Sequence, residues 1–230
     1  MTEFTEWRSL VDGQRISAIP DSAIHQWRFD EGSGTTANDD IGDLDGSISG
    51  STFVSDNNGV GEFVLDFDGT DDHVDYEEVP SEIQGSNTEF SIAITAEDLD
   101  SITVDGSNRP IIWSWDSRST LAFEGGDLVW YVDDQTGVGI SQNDIPSGRV
   151  RVCATHDNGS HNLYINGSDD NLFSSGVAPD TTGGNMRIGA LQDRVDSEFH
   201  YEGILDNPII YDKELTQQEV DDDLARQPWS

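Results

Sequence analysis

The sequence is poor in basic residues and has no long apolar run. The chain of 230 residues carries 11 Lys and Arg, of which Lys213 is the one lysine, against 46 Asp and Glu. Nucleic-acid binding needs a basic surface, so this balance argues against DNA and RNA as partners. No apolar run approaches the roughly 20 residues of a membrane-spanning helix, and we expect no membrane insertion.

The chain also has a single cysteine, Cys153, which excludes a disulfide within the chain. Cys153 lies in the apolar run 150–154, and we expect it to be a small core residue rather than a nucleophile. A chain of this length buries about 70% of its unfolded surface, so its core needs neither a disulfide nor a metal to hold it together.

The N-terminal segment MTEFTEWRSLVDGQR lacks both the basic and the apolar parts of a signal peptide, and we expect none. Residues 1–22 show no strand rhythm, and Phe4, Trp7, Leu10 and Val11 form a weak helical stripe. Large aromatic side chains are costly in water, so we expect this arm to pack against its own domain or a partner subunit. We therefore divide the chain into an N-terminal arm for attachment or oligomerisation, 1–22, and one domain, 23–230.

Carboxylates dominate what the sequence does contain, and the formal net charge is −35. Self-repulsion of this size destabilises a compact fold in dilute buffer. At about 1 M salt the Debye length falls to about 3 Å, and the repulsion is almost fully screened. The composition predicts a protein from a high-salt environment and is typical of halophilic archaea and their viruses.

From Ile24 onward, short β runs alternate with clusters of Gly, Asn, Asp and Ser. The best local signal is the segment 149–167, where two alternating runs flank the turn Asp-Asn-Gly-Ser at 157–160. This spacing predicts a hairpin in which His156 and His161 face each other. The tail favours a helix, with Thr216 as N-cap and Glu219 completing a capping box. The pattern predicts an all-β, two-sheet antiparallel sandwich with a short C-terminal helix.

Four segments, in order, resemble one family. They are WRFDEGSGTTANDDIGDLDGSI (27–48), VLDFDGTDDHVDY (64–76), CATHDNGSHNLYINGS (153–168) and MRIGALQDRVDSEFHYEGILDNPIIYDKELTQQEV (186–220). Together they resemble the laminin-G-like, concanavalin-A-like jelly roll over residues 24 to about 224. The resemblance implies two antiparallel sheets, one of them concave. It does not fix a ligand, because lectins, pentraxin-like proteins, adhesins, glucanases and spacers share this fold.

The acidic stretch LDFDGTDDHVDYEE (65–78) is a poor candidate for a catalytic centre. An EF-hand loop starting at Asp66 fails, since glycine arrives at position 4 rather than 6. A retaining glucanase needs two carboxylates about 5 Å apart. The related glucanases supply them from a Glu-x-Asp-x-Glu type of run, which is absent from this sequence. We expect no catalytic residues and no enzymatic activity.

By resemblance, the fold offers two places for a structural calcium ion. The first joins an early loop to a late strand through Asp30, Asp39 and Asp206, with backbone carbonyls. The second is pentraxin-like: GALQD (189–193) nominates Gln192 and Asp193, with Asp116 as a further ligand. The alternative is that these acids cap turns and bind water.

Tryptophans are the other candidates for ligand binding. Trp113 and Trp115 share one face of a predicted strand, and Trp130 follows two strands later. On a concave sheet they would stack on sugar rings, whereas on the inner face they would belong to the core. The sequence favours the core for at least one of them.

A lectin-like domain without a leader favours a virion protein, since virion proteins are assembled inside the cell. We expect a non-enzymatic tail fibre, spike or capsid turret of a halophilic virus. Its domain would bind a host-surface glycan or glycoprotein, and residues 1–22 would contact other virion proteins. We expect the protein to form a homo-oligomer. The alternative is a cellular glycan-binding or adhesion module, extracellular or on the surface of a halophilic archaeon.

Overall fold

The structure is a computed structural model and describes residues 19–56, 61–84, 89–99, 102, 110–115, 119–132, 136–140, 144–157, 160–170, 184–191 and 199–229. Of the predicted arm, residues 1–18 lie outside this part, so its role stays a prediction. Within the described ranges, no helix is long and apolar enough to cross a membrane.

Sixteen strands and one α-helix make up the described fold. In chain order the strands are β1 (Ala23–Gln26), β2 (Thr36–Ala37), β3 (Gly46–Ser49), β4 (Thr52–Ser55), β5 (Phe63–Asp68), β6 (His73–Tyr76), β7 (Glu89–Glu97), β8 (Ile111–Trp115), β9 (Ser119–Glu124), β10 (Asp127–Val132), β11 (Thr136–Ile140), β12 (Arg149–Asp157), β13 (Ser160–Ile165), β14 (Ser168–Asp169), β15 (Met186–Ile188) and β16 (Glu202–Tyr211). A 3-10 turn (Ser81–Ile83) precedes β7, and helix α1 (Gln217–Ala225) follows β16.

The strands form two antiparallel sheets of eight strands each. Sheet I has the order β14-β13-β12-β7-β16-β5-β4, and β1 also pairs with β16. Sheet II has the order β11-β10-β9-β8-β15-β6-β3-β2. The predicted all-β antiparallel sandwich with one short C-terminal helix is confirmed, and the arrangement is consistent with a jelly roll.

The acidic stretch 65–78 carries the chain from one sheet to the other. In β5 the side chains of Leu65 and Phe67 are buried while Asp66 and Asp68 are exposed, as a half-buried strand requires. Gly69 then takes a φ of +74°, a left-handed conformation that favours glycine. The chain continues into β6 of sheet II. The segment 46–55 likewise divides into β3 of sheet II and β4 of sheet I.

Large aromatic side chains fill the space between the sheets. Trp27, Trp113, Trp115 and Trp130 all belong to this core. Trp27 and Trp113 pack edge to face with ring centroids 6.4 Å apart, and Trp115 and Trp130 do so at 5.7 Å. Such pairs add to the free energy gained by burial alone.

Helix α1 covers the outer face of sheet I. It begins with the predicted capping box, in which Thr216 and Glu219 hydrogen-bond each other's backbone amides. Beneath it, Cys153 is buried in a second apolar cluster with residues of β7, β16 and the helix, as the sequence predicts. Burial raises the pKa of the Cys153 thiol, so it stays protonated and unreactive.

Candidate functional site

Asp39, one of the predicted calcium ligands, organises the loop that follows β2. Its buried carboxylate accepts hydrogen bonds from the backbone amides of Gln26 (3.1 Å), Gly42 (2.9 Å) and Leu44 (3.1 Å), and from His25 Nδ1. Burial alone would raise the pKa of Asp39, but these hydrogen bonds outweigh it and hold the pKa below its usual range. The carboxylate therefore has few lone pairs left for a cation.

The other two predicted calcium ligands, Asp30 and Asp206, lie on other elements of the fold. Asp30 accepts hydrogen bonds from the backbone amides of Glu62 (2.5 Å) and Phe63 (3.2 Å), which ties the loop after β1 to the start of β5. Asp206 is fully buried on β16, opposite Thr95 of β7. These three carboxylates do not form a group within 4.8 Å among the residues described. The alternative set, Gln192, Asp193 and Asp116, lies outside the described residues. Calcium binding at either place stays a prediction.

The predicted sugar-stacking tryptophans all lie inside the sandwich. Trp113 is 0% exposed, Trp115 1% and Trp130 2%. A sugar ring could stack on them only if the two sheets separated. The expectation that at least one belongs to the core agrees with this burial, and we do not assign ligand binding to the three indoles.

A row of polar side chains crosses the outer face of sheet II. Residues directly opposite each other on neighbouring strands point to the same face of a sheet. Following the register strand by strand, this row consists of Thr36, Ser47, Asp75, Arg187, Ser114, Thr120 and Tyr131. Because their chain neighbours Val74, Tyr76, Met186 and Ile188 are buried in the core, the row faces outward.

The centre of the row is an ion-paired cluster. Arg187 Nε donates to Asp75 Oδ1 at 2.5 Å, and His73 Nε2 lies 3.2 Å from Asp75 Oδ2. Burial of Asp75 tends to raise its pKa, but the hydrogen bonds from His73 and Arg187 outweigh it and lower the pKa to about 2. Asp75 is therefore an ionised hydrogen-bond acceptor at neutral pH.

Part of the row is covered and part is open. On the β8–β10 side, Ser114 Oγ donates to the carbonyl of Ala190 (2.8 Å), and Leu191 packs over Ile111 and Ala122. On the β2–β6 side, the exposed hydroxyls are those of Thr36, Ser47 and Ser49. We use the name polar face for this open part, which consists of Thr36, Ser47, Ser49, His73, Asp75 and Arg187.

A group of three acids adjoins the polar face. Asp68, Asp71 and Asp72 are the one set of three His, Cys, Asp or Glu in the described ranges whose ligand atoms lie within 4.8 Å of one another. Burial, followed by the charges of Asp68 and Asp71, raises the pKa of Asp72. The backbone of Asp71 also accepts from His73 Nδ1 at 2.7 Å, which links this group to the polar face.

The polar face was not predicted from the sequence. Alternation in GSIS of β3 and HVDY of β6 could have indicated strands with one polar side. Nothing in the sequence, however, places Arg187 beside Asp75, since 112 positions separate them.

Comparison with known proteins supports the same fold. Residues 68–221 match the model of the concanavalin A-like lectin/glucanases superfamily, in its laminin-G-like form. A search of curated proteins found no match to the chain.

Solved structures with similar folds include both enzyme domains and binding domains. Domain 4 of an extracellular arabinanase from Geobacillus stearothermophilus, solved with arabinotriose, has a TM-score of 0.65 at 15% identity, covering 89% of this chain and 98% of that one. Trypanosoma rangeli sialidase has a TM-score of 0.68 at 12% identity, covering 96% of this chain but 36% of the enzyme. The binding domain of botulinum neurotoxin serotype D has a TM-score of 0.66 at 14% identity, covering 90% and 52%.

At these identities the similar structures show the fold alone. The family match is more informative, because it spans well over half of the 230 residues. It contains two of the four segments on which the predicted resemblance rests, and part of a third. The chain therefore belongs to the concanavalin A-like lectin/glucanases superfamily.

Proposed function

We propose that this protein is a non-catalytic carbohydrate-binding domain whose ligand lies on the polar face. The observation that carries the proposal is the row of hydroxyl, carboxylate and guanidinium groups at matching register on neighbouring strands. Sugar hydroxyls both donate and accept hydrogen bonds, and a few well-placed polar groups on a rigid scaffold fix such a ligand's orientation. Arg187 and Asp75 hold each other in place before any ligand binds.

The electrostatics of Asp75, the one carboxylate of the polar face, suit ligand binding rather than proton donation in glycoside hydrolysis. A glycosidase uses a carboxylic acid of raised pKa to protonate the leaving group. Asp75 has the opposite property, since its pKa is lowered to about 2 and its charge is paired with Arg187. It is suited to accept hydrogen bonds from a ligand and not to donate a proton.

The cellular setting is a finer part of the proposal. The net charge of −35 supports a high-salt environment. Within it, we favour a virion component that binds a host-surface glycan, with residues 1–22 as the attachment arm, over a haloarchaeal adhesion module. Immunoblotting of density-purified particles distinguishes the two, because absence of the protein from particles contradicts the virion assignment.

The proposal is tested by removing the guanidinium from the polar face. Arg187→Met should weaken binding of a glycan identified on an array by at least about tenfold, the usual cost of losing a charged hydrogen-bond donor. Isothermal titration at high salt measures the change.

The matched control is Arg28→Met. Arg28 forms a comparable pair with Asp40, with nitrogen–oxygen distances of 2.8 Å, outside the polar face. It should leave affinity unchanged. Equal affinities for Arg187→Met and wild type, with both proteins folded by circular dichroism, would place the ligand elsewhere.

A further inference from the structure

We infer that the polar face selects electrically neutral, polyhydroxylated ligands and rejects glycans that carry carboxylate or sulfate groups. This inference rests on the proposed function, because it names the ligand class of the same site. It follows from how the one guanidinium of the polar face is used and from the charges that surround it.

Two nitrogen atoms of the Arg187 guanidinium donate to partners within the protein, and Nη2 is left to donate to a ligand. Arg187 Nε donates to Asp75 Oδ1 at 2.5 Å, and Nη1 donates to the carbonyl of Leu191 at 3.2 Å. Arginine binds anions most strongly when two parallel N–H groups meet two oxygens of the ligand. In this protein the Asp75 carboxylate already binds one edge of the Arg187 guanidinium and neutralises its positive charge.

Acidic side chains outnumber the basic Arg187 and His73 around the polar face, which disfavours an anionic ligand. Asp75 itself is ionised, and its side chain is 39% exposed, so an incoming carboxylate would meet a like charge. Asp68, Asp71 and Asp72 lie next to His73 and add further acidic groups. Like charges brought into contact disfavour binding, and their repulsion helps a protein to reject wrong partners.

The same groups suit a neutral sugar. The exposed hydroxyls of Thr36, Ser47 and Ser49 can each donate or accept a hydrogen bond. Asp75 can accept a hydrogen bond from a ligand hydroxyl. The oxygens of an ionised carboxylate or sulfate ester carry no hydrogen, so they cannot donate one to Asp75. A diol can therefore use both the donors and the acceptors of the polar face, whereas a carboxylate or sulfate group can use its donors alone.

Salt should not remove this selectivity. At about 1 M salt the Debye length is about 3 Å, which suppresses the long-range repulsion from the whole molecule. A ligand in direct contact with Asp75 lies within that distance. We therefore expect discrimination to persist at the salt concentrations at which the protein is most stable.

The test compares an oligogalacturonate with its methyl ester and with the neutral galactan of equal length and linkage. Wild-type protein should bind the galactan and the ester at least about tenfold more tightly than the free acid, by isothermal titration at constant high salt. Asp75→Asn should then raise affinity for the free acid at least about tenfold, since it removes the like charge and frees Arg187. Asp40→Asn, at the arginine–aspartate pair formed with Arg28, should change neither affinity.

Each outcome has a definite meaning. Wild-type affinity for the free acid equal to or above that for the ester would overturn the inference and leave carbohydrate binding intact. Rejection of the acid that survives in Asp75→Asn would also overturn it, because the rejection would not come from Asp75. If neither these oligosaccharides nor any neutral glycan on an array binds, the proposed function itself fails. The ester comparison needs no variant, so it stands even where Asp75→Asn does not fold.

Discussion

His156 and His161 form a buried pair across the β12–β13 hairpin. Their Nδ1 atoms are 3.2 Å apart, and the His156 ring lies 5.2 Å from Phe90 at the aromatic end of the core. Burial, reinforced by the proximity of His161, lowers the pKa of His156 to about 4. Asp157, Glu89 and Glu214 carry negative charges at this end of the hairpin, and the charge of Asp157 opposes the shift. Protonating the pair would place a cation against Phe90.

This pair should make the fold sensitive to acid. In the unfolded chain a histidine takes up a proton near pH 6.5, whereas folded His156 does so only near pH 4. Between these values the unfolded state binds more protons, so the free energy of unfolding falls by about 1.4 kcal/mol per pH unit as pH decreases. Above pH 6.5 both states are neutral and the contribution disappears.

Urea denaturation from pH 7 to pH 4 measures this effect. His156→Gln should flatten the decline relative to wild type, while Val152→Ala, a buried change on the same strand without a titrating group, should lower stability by a constant amount. Parallel curves for wild type and His156→Gln would show that His156 does not titrate in this way.

At the scale of elements, helix α1 is attached to sheet I by a buried ion pair. Arg151 Nε donates to Asp223 Oδ2 at 2.7 Å, and Tyr211 Oη donates to Asp223 Oδ1 at 2.6 Å. Burial would raise the pKa of Asp223, but the charge and hydrogen bonds of Arg151 hold it below the usual range. Both partners are at most 2% exposed, so neither can exchange its partner for water.

Breaking this pair should be costly. Removing Asp223 leaves the buried charge of Arg151 uncompensated, which typically costs about 3–5 kcal/mol. We expect Asp223→Asn to lower the free energy of unfolding by this amount in urea denaturation, and Arg151→Met to lower it by less, because Asp223 keeps its ion pair with Arg226 at 3.1 Å. The double change Arg151→Met, Asp223→Leu removes both charges and should recover most of the loss. A cost of Asp223→Asn below about 1 kcal/mol would mean that the pair does not hold the helix.

Elements with strong local signals could be predicted from the sequence, and contacts between distant elements could not. The capping box of α1 and the hairpin of β12 and β13 follow from residues a few positions apart, and the structure contains both. The division of 46–54 between two sheets depends on Gly50, whose φ is +79°, and alternation alone does not reveal it. The strand β11, TGVGI, was missed because glycine is a poor strand former.

The candidate site was harder to predict than the fold. Sequence reasoning placed Trp113, Trp115 and Trp130 on one side of their strands, but that side faces the other sheet. It also could not show that the Asp39 carboxylate already accepts hydrogen bonds from His25 and from backbone amides. The polar face combines β2, β3, β6 and β15, and register between strands so far apart in sequence is set by the tertiary fold.

For the whole molecule, the dominant property is its charge. With 46 acidic and 11 basic residues, stability should depend strongly on screening. Between about 1 M and about 0.1 M salt the Debye length grows from about 3 to about 10 Å, so repulsion extends across the surface. Melting temperature measured in chloride salts should fall steeply over this range. A melting temperature independent of salt would contradict the high-salt assignment.

We propose that a neutral glycan binds to the outer face of sheet II. Amide chemical-shift mapping locates the bound ligand, with labelled protein at high salt titrated with the neutral oligosaccharide that binds most tightly on an array. The largest shifts should occur at Ser47, Ser49, Asp75 and Arg187, with little change in β12, β13 and α1. Saturable shifts confined to sheet I or to helix α1, with Asp75 and Arg187 unaffected, would contradict this proposal.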